Sequence, residues 1–447
     1  MSSSPANRFL APVFQALSPR LWELSTGPYF QGQVLIVGAG LAGLTAAYML
    51  KQQGLRPIIL EAKKRPAGRL ANLRNWADMP LELGAEWLHG QRSTLFRWLD
   101  GQYQNQIVED EGEEFVPYKQ QLRALEDYPG AEVLLERLNE LGYEEAPIKG
   151  NLLDWAEQNG IDQALYPLLD YWAGEWGCSA KELGIEALAK INRQWSSGDL
   201  DFKAEPSLYD LIDESLIRPL RPYLQLGQAV KHIDYSGEQI KVFTQDQTIV
   251  VDKVLLTVPL PVLQKESISF APSLPTAKTA AIQRLKMGDG LKIFFKFNRL
   301  FWSGDIIGAK MASSYIDTQA YKSGKDAILC AWAFGEKAEI LRNMGQELAS
   351  RAILAELDSL YVGAASSHFE KYYWQDWSQE EHIWGAYSYP SNSEQPGDRA
   401  ELQAPIDYKL YFAGEACHPK GHIQSLHGAF ETGYEAALQI LMDLNVS

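Results

Sequence analysis

The chain is 447 residues long, with 46% hydrophobic and 22% charged residues, proportions of a folded globular protein large enough for two domains or one elaborated core. A formal net charge of −16 at pH 7 argues against nucleic-acid binding and is met equally by a protein that steers small cationic substrates and by an acidic cytosolic protein kept soluble by its charge. Cys178, Cys330 and Cys417 are widely spaced and the seven histidines show no ligand spacing, so no disulfide framework and no metal are expected, and the setting reads as reducing and cytoplasmic.

In chain order, residues 1–30 read as an N-terminal extension without the basic start and apolar core of a secretory signal. The uncharged run Val34–Leu50 is long enough to suggest a membrane span, but it carries Gly38, Gly40 and Gly43 in a Gly-x-Gly-x-x-Gly pattern. It reads better as a strand (Val34–Val37), a turn and a helix from Leu44 to about Gln53, ended by Gly54. Ile58–Leu60 forms a second strand with Glu61 at its tip. The residue types suit a dinucleotide: Gly38 permits the tight turn, Gly40 admits a pyrophosphate, and Gly43 lets helix and strand pack closely. Phosphates then sit at the positive helix end, and Glu61 accepts hydrogen bonds from a ribose.

Residues 91–224 read mostly as amphipathic helices, with an acidic patch at Glu109–Glu114 that is either a solvated loop or the rim of an entrance. Strands are expected at Ala229–Tyr235, Ile240–Phe243 and Ile249–Pro259, a helix over Thr276–Lys286, and strands at Lys292–Phe297 and Leu410–Ala413. A last helix covers His427–Leu441. A βαβ start whose closing strand and helix lie at the far C-terminus predicts a discontinuous nucleotide-binding domain, with a ligand cleft beneath a second domain.

Further motifs decide the cofactor. They are Glu61-Ala-Lys-Lys-Arg-Pro-Ala-Gly68-Arg69, Glu82-Leu-Gly84-Ala-Glu86-Trp87-Leu-His89-Gly90, Tyr411-Phe-Ala-Gly414-Glu415-Ala, and Ser425-Leu-His427-Gly428-Ala429 with Gly433. In this order they resemble the flavin-containing amine oxidases, the family of polyamine oxidases, monoamine oxidases and lysine-specific histone demethylases. The resemblance runs from residue 34 to about 440. It implies an α/β fold: a discontinuous, Rossmann-type (glutathione-reductase-like) FAD-binding domain over 31–90, 225–275 and 400–447, and an α+β substrate-binding domain over 91–224 and 276–399.

FAD would then be lined by Gly38, Gly40, Leu41, Ala42, Gly43, Glu61, Ala62, Gly68, Arg69, Gly84, Ala85, Glu86, Trp87, Val230, Val258, Trp374, Gly414, Glu415, Ser425 and Leu426. Arg69 would reach the phosphates or the flavin edge, Glu415 the ribityl chain, and the start of the last helix the pyrimidine ring. Two departures stand out: Ala67 where a glycine is usual, and no Gly-Gly pair before Val230.

Within the family, Ala386 falls where monoamine oxidases carry the cysteine that bonds to FAD, so a non-covalent flavin is implied. Tyr387 matches one of the two tyrosines that sandwich a monoamine, while the other position is Ser425. That combination is similar to polyamine oxidases. Lys292 matches the lysine that holds a water against flavin N5, although strand alternation alone also allows a solvated lysine. Glu175, Glu86 and His89 match or adjoin positions facing the substrate. Their structural alternatives are a helix cap or salt bridge, an arginine partner, and a hydrogen-bonded core histidine, respectively.

The implied reaction is hydride transfer from the carbon beside a neutral amine of a spermidine- or spermine-class polyamine to flavin N5. Hydrolysis then gives an aldehyde and a shorter amine, and oxygen or another acceptor reoxidises the flavin. Monoamine oxidase, L-amino-acid oxidase, carotenoid desaturase, histone demethylase and a flavoprotein without amine turnover remain as alternatives.

Overall fold

A computed structural model of the protein describes residues 33–119, 121–141, 149–320 and 322–445, so the extension expected at 1–30 lies outside the described residues. The elements that build the site are β1 (Val34–Val37), α1 (Leu41–Gln52), β2 (Ile58–Glu61), β3 (Leu224–Leu226), β4 (Lys253–Leu256), β5 (Gly290–Phe297), β6 (Ala327–Phe334), β7 (Phe369–Asp376), β8 (Leu410–Phe412) and α2 (Leu426–Asn445). The fold is α/β, with a parallel sheet in the order β3-β2-β1-β4-β8.

All four residues of β1 are buried, as expected of a central parallel strand covered on both faces. Val34 and Ile36 pack with α1 and α2, while Leu35 and Val37 face a core shared with the four-stranded sheet of Thr248–Val251, Ile240–Phe243, His232–Asp234 and Ser269–Ala271. α1 begins at Leu41, a turn earlier than expected, because extended Gly40 is itself the N-cap. α2 lies directly on α1: a Cβ on Gly433 would stand 2.2 Å from the Ala42 carbonyl oxygen.

The stretch expected as one strand over Ile249–Pro259 is two. Thr248–Val251 belongs to the four-stranded sheet, and β4 to the parallel one. Asp252 separates them, its carboxylate and N–H both bonded to Gln33. The mostly helical reading of 91–224 holds, but the segment also contains strands at Ile107–Glu109, Glu114–Tyr118, Gln121–Ala124 and Asp201–Ala204. Gln121–Ala124 forms a hairpin with Glu114–Tyr118, but the other partners are distant: Glu114–Tyr118 also runs parallel to Asp305–Ile307, and Asp201–Ala204 is clasped between Trp87–His89 and Ile107–Glu109. Short strands paired over such distances leave no local pattern.

A seven-stranded sheet runs β7-β5-β6, then Ser314–Asp317, Asp305–Ile307, Glu114–Tyr118 and Gln121–Ala124. Leu291, Ile293, Phe295 and Phe297 of β5 face an apolar core, and Lys292 points to the opposite face. Among the described residues, no helix is long and apolar enough to cross a membrane.

Candidate active site

One continuous cavity of about 970 Å³ runs between the parallel sheet and the seven-stranded sheet. Its first wall is the glycine turn. Gly38 adopts φ +104°, where its N–H bonds the Leu60 carbonyl at 2.8 Å. A Cβ on Gly40 would meet nothing within 4 Å, whereas one on Gly43 would stand 2.1 Å from the Gly38 oxygen. Gly40, Leu41 and Ala42 therefore line the cavity, and Gly43 packs behind them rather than lining it. At the tip of β2, buried Glu61 accepts the N–H of Ala39 (2.8 Å) and of Lys63 (2.9 Å). Each carboxylate oxygen keeps a lone pair for a ligand hydroxyl.

Ala67 holds the left-handed conformation at φ +72°, its N–H bonded to the Ala39 carbonyl at 2.7 Å. The loop thus keeps its course without the usual glycine. Arg69 donates to Glu415 (2.9 Å) and to the Ala386 carbonyl (2.7 Å). Burial works to raise the Glu415 carboxyl, but Arg69 and the Ser388 hydroxyl outweigh it and hold it below the usual range. Gly84, Ala85, Trp87, Ala62, Gly68, Val230, Val258, Gly414 and Leu426 also line the cavity.

Ser425 reaches the wall too, but its hydroxyl accepts the Gly428 N–H (3.0 Å) and donates to the His422 carbonyl (2.8 Å). It is the N-cap of α2. The hydroxyl expected to face substrate is therefore committed to the helix.

The other wall is charged. Lys292 on β5 donates to the carbonyls of Glu82 and Gly84 and to Glu86. Glu86, read from sequence as a substrate acid or an arginine partner, is thus the partner of Lys292. His89 Nδ1 lies 2.8 Å from Asp201. Burial opposes a proton on His89, yet Asp201 overrides it and the imidazole is shifted up. Glu175 accepts the Tyr171 hydroxyl at 2.9 Å, and Tyr171 also reaches Glu114 at 3.3 Å. Tyr387 donates to the Glu175 carbonyl at 3.2 Å.

Burial, then the neighbouring Glu114, pushes the Glu175 carboxyl up to about 7. Burial also raises Asp305 to about 7, against the pull of Lys203. Asp110 accepts the Trp87 indole N–H (2.6 Å) and pairs with Lys203 (3.0 Å).

The profile of the family described as "Flavin containing amine oxidoreductase" matches residues 41–441. The chain belongs to that family. Polyamine oxidase 2 of Arabidopsis thaliana is 27% identical over 435 residues, covering 90% of this chain and 87% of that protein. Lysine-specific histone demethylase 2 of Homo sapiens is 25% identical over 463 residues, covering 92% of this chain and 54% of that protein. Wild-type putrescine oxidase bound to putrescine superposes with a TM-score of 0.79 at 21% identity, covering 93% of this chain and 100% of that one. Cyclohexylamine oxidase from Brevibacterium oxydans IH-35A gives 0.79 at 18%, covering 94% and 100%. At such identities the structures attest the fold.

This flavin-dependent amine oxidase fits FAD by its own geometry. The space beyond Gly40, the first-turn N–H groups of α1 and the pinned Glu61 form a cradle for a dinucleotide. Besides Gly43, one more expected lining residue lies elsewhere. Trp374 pairs with Ile293 and so shares its face of the sheet, in the apolar core. Trp377, just past β7, reaches the cavity in its stead, its indole N–H held by the Leu83 carbonyl at 2.7 Å.

Sequence reasoning also missed Trp332 and the carboxylates Asp110, Glu114, Asp201 and Asp305. Asp110 and Glu114 lay in plain view in the acidic patch. Their inward turn follows from pairing to strands far along the chain.

Histidine spacing was missed as well. His418, His422 and Glu431 bring ligand-type atoms within 4.8 Å of one another. His418 Nδ1 accepts the N–H groups of Lys420 and His422, so its proton sits on Nε2, 2.9 Å from Glu431. That tautomer offers no lone pair to a cation. With His422 also on Glu431 at 2.8 Å, the trio is hydrogen-bonded to itself.

Proposed function

We propose that the protein oxidises a C–N bond of an extended polyamine of the spermidine or spermine class. The observation that carries this reading is the excess of carboxylate on the amine side of the cavity. Asp110, Glu114, Glu175, Asp201 and Asp305 line it, against the partner cations His89 and Lys203. Burying an uncompensated ammonium is costly, and so is burying an uncompensated carboxylate. A ligand with several ammonium groups relieves both costs at once. Burial, and after it like charge from neighbouring carboxylates, raises the Glu175, Glu114 and Asp305 carboxyls.

Held by the glycine turn and Glu61, FAD would supply two-electron oxidation at the carbon beside a neutral amine, with oxygen or another acceptor as the final oxidant. The protein's part is placement. Glu175, with Tyr171 and Glu114 behind it, anchors a distal ammonium. His89, oriented by Asp201, supplies a polar contact nearer Trp87. The Tyr387 ring, fixed by its bond to the Glu175 carbonyl, flanks the chain between them. Ala386 presents a methyl group at the cavity wall, so the flavin is held without a covalent bond. The cofactor side is built from the described parts of 31–90, 225–275 and 400–447, joined by residues 208–224, which pack on α1 and enter the parallel sheet, and most of the remaining described chain forms the substrate side.

The test is an anaerobic flavin-reduction screen over spermine, spermidine, their acetyl derivatives, benzylamine and amino acids, with mass analysis of products. Rapid bleaching by the polyamines is expected. Reduction by benzylamine or amino acids alone would overturn the reading.

A further inference from the structure

Lys292 stands where a water-holding lysine is expected, yet its surroundings leave it no proton for a water. Its Nζ lies 2.9 Å from the Glu82 carbonyl, 2.9 Å from the Gly84 carbonyl and 3.1 Å from Glu86 Oε2. An ammonium has three protons, and here are three acceptors. The Trp332 ring covers another side, its centroid 4.0 Å from Nζ.

The two carbonyls are fixed. A Cβ on Gly84 would stand 1.8 Å from the Arg69 oxygen, and the Glu82 side chain is tied to the Leu208 N–H at 2.7 Å. Glu86 is the third acceptor, and the side chains of the pair are only 6% and 4% exposed. Burial alone would raise its carboxyl, but Lys292 first and then Lys203 and Lys322 hold it below the usual range.

We propose that Glu86 is a positioning residue that accepts the third N–H of Lys292 and balances its charge, so that Lys292 acts as half of a buried ion pair instead of a donor to a water in the cavity. The inference rests on the amine-oxidase reading only in placing flavin beside the pair. It predicts a sign pattern that a free, water-binding lysine would not produce. Glu86→Gln unmasks a positive charge and moves the midpoint potential of the bound flavin upward. Lys292→Met unmasks a negative charge, kept ionised by Lys203 and Lys322, and moves it downward. The double variant, neutral at both positions, returns close to wild type.

Thermal unfolding of the apoprotein gives a readout that needs neither flavin nor turnover. Lys292→Met, which strands a buried carboxylate, melts below the double variant. Opposite potential shifts that cancel in the double variant, together with that order of melting, are the expected result. An unshifted potential in Glu86→Gln, or a double variant matching Lys292→Met in both readouts, would overturn the proposal. Failure to bind flavin at all would strike the amine-oxidase reading instead, while the melting order would still judge the pair.

Discussion

Around the glycine turn the cavity wall is mostly backbone, supplied by one βαβ unit in which each residue touches its sequence neighbours. Around Glu175 it is side-chain charge, gathered from Ile107–Tyr118, Tyr171–Trp176, Asp201–Ala204 and the Asp305–Ile307 strand. The first region is specified by local sterics and the second by tertiary convergence. They should therefore fail differently: the turn through shape and folding, the acidic wall through charge and substrate choice.

The sharpest way to break this contrast lies within the turn itself. A methyl on Gly43 meets the Gly38 oxygen at 2.1 Å and Thr257 Oγ1 at 2.8 Å, while one on Gly40 enters open space. Gly43→Ala should cost about 3 kcal/mol or more in apoprotein stability, because the clash is with backbone. Gly40→Ala, whose φ of −71° suits any residue, should melt like wild type but bind flavin at least about tenfold more weakly, the equivalent of about 1.4 kcal/mol. Apoprotein melting and flavin titration separate the two. Equal behaviour of the two variants in both assays would erase the distinction between packing and cradle glycines.

On the charged wall, Glu175→Gln keeps the shape and removes the charge. Losing one partner of a buried charge contact costs about 2 kcal/mol or more, so KM for spermidine should rise about thirtyfold. A monoamine such as benzylamine, with no distal ammonium, should change by less than about threefold on the same reasoning. Steady-state comparison of the two substrates checks this. A parallel loss for both would mean that the Glu175 side chain holds Tyr171 and the shape of the wall and not a cation.

The same contrast decides what was readable in the sequence. Gly38, Gly40, Gly43 and Glu61 are spaced along a few turns of chain, so their physics survives in one dimension, and Arg69, Gly84, Glu415 and Val230 came with recognisable motifs. Lys292 and Trp374 show the limit. Lys292 lies on a strand buried on both faces and Trp374 on a half-exposed edge strand, and in neither does alternation tell cavity from core. Register settles it: Trp374 sits across from Ile293 and shares its face, so the cavity position falls to Trp377. Asp201 and Asp305 carry no local signal, since what makes them important is which strand each one is paired to.

Acidity offers a third, smaller test on the charged wall. Glu175 and Asp305 are each raised to about 7, chiefly by burial. An acid raised on folding holds its proton longer in the native state than in the unfolded chain. Stability on its account is therefore highest at low pH and is lost as pH climbs from the ordinary carboxyl range to about 7. Cation binding runs the other way, because only the ionised wall attracts an ammonium. Apparent affinity for a non-oxidisable diamine should strengthen as pH rises from about 5 to 7 and then level off, while apoprotein melting falls over the same interval. The pair Glu175→Gln and Asp305→Asn should flatten the binding curve and reduce the melting slope, part of which stays with Glu82, also pushed up to about 7 by burial. A binding slope that persists in that double variant would assign it to other groups.

The smallest expected effect returns to the turn. Ala67 is only 2% exposed and sits at φ +72°, a conformation that costs an L-residue about 1–2 kcal/mol. Ala67→Gly relieves that strain. It also removes a buried methyl worth about 0.8 kcal/mol and loosens the unfolded chain by about 0.4–1 kcal/mol. These terms nearly cancel, so stability should move by less than about 1 kcal/mol in either direction. The Ala67 N–H still bonds the Ala39 carbonyl, which holds the loop against the glycine turn whichever residue is present, and flavin affinity should stay within about threefold of wild type. A large gain in affinity would mean that the alanine distorts the cradle, and that a side chain as well as backbone shape limits this end of the cavity.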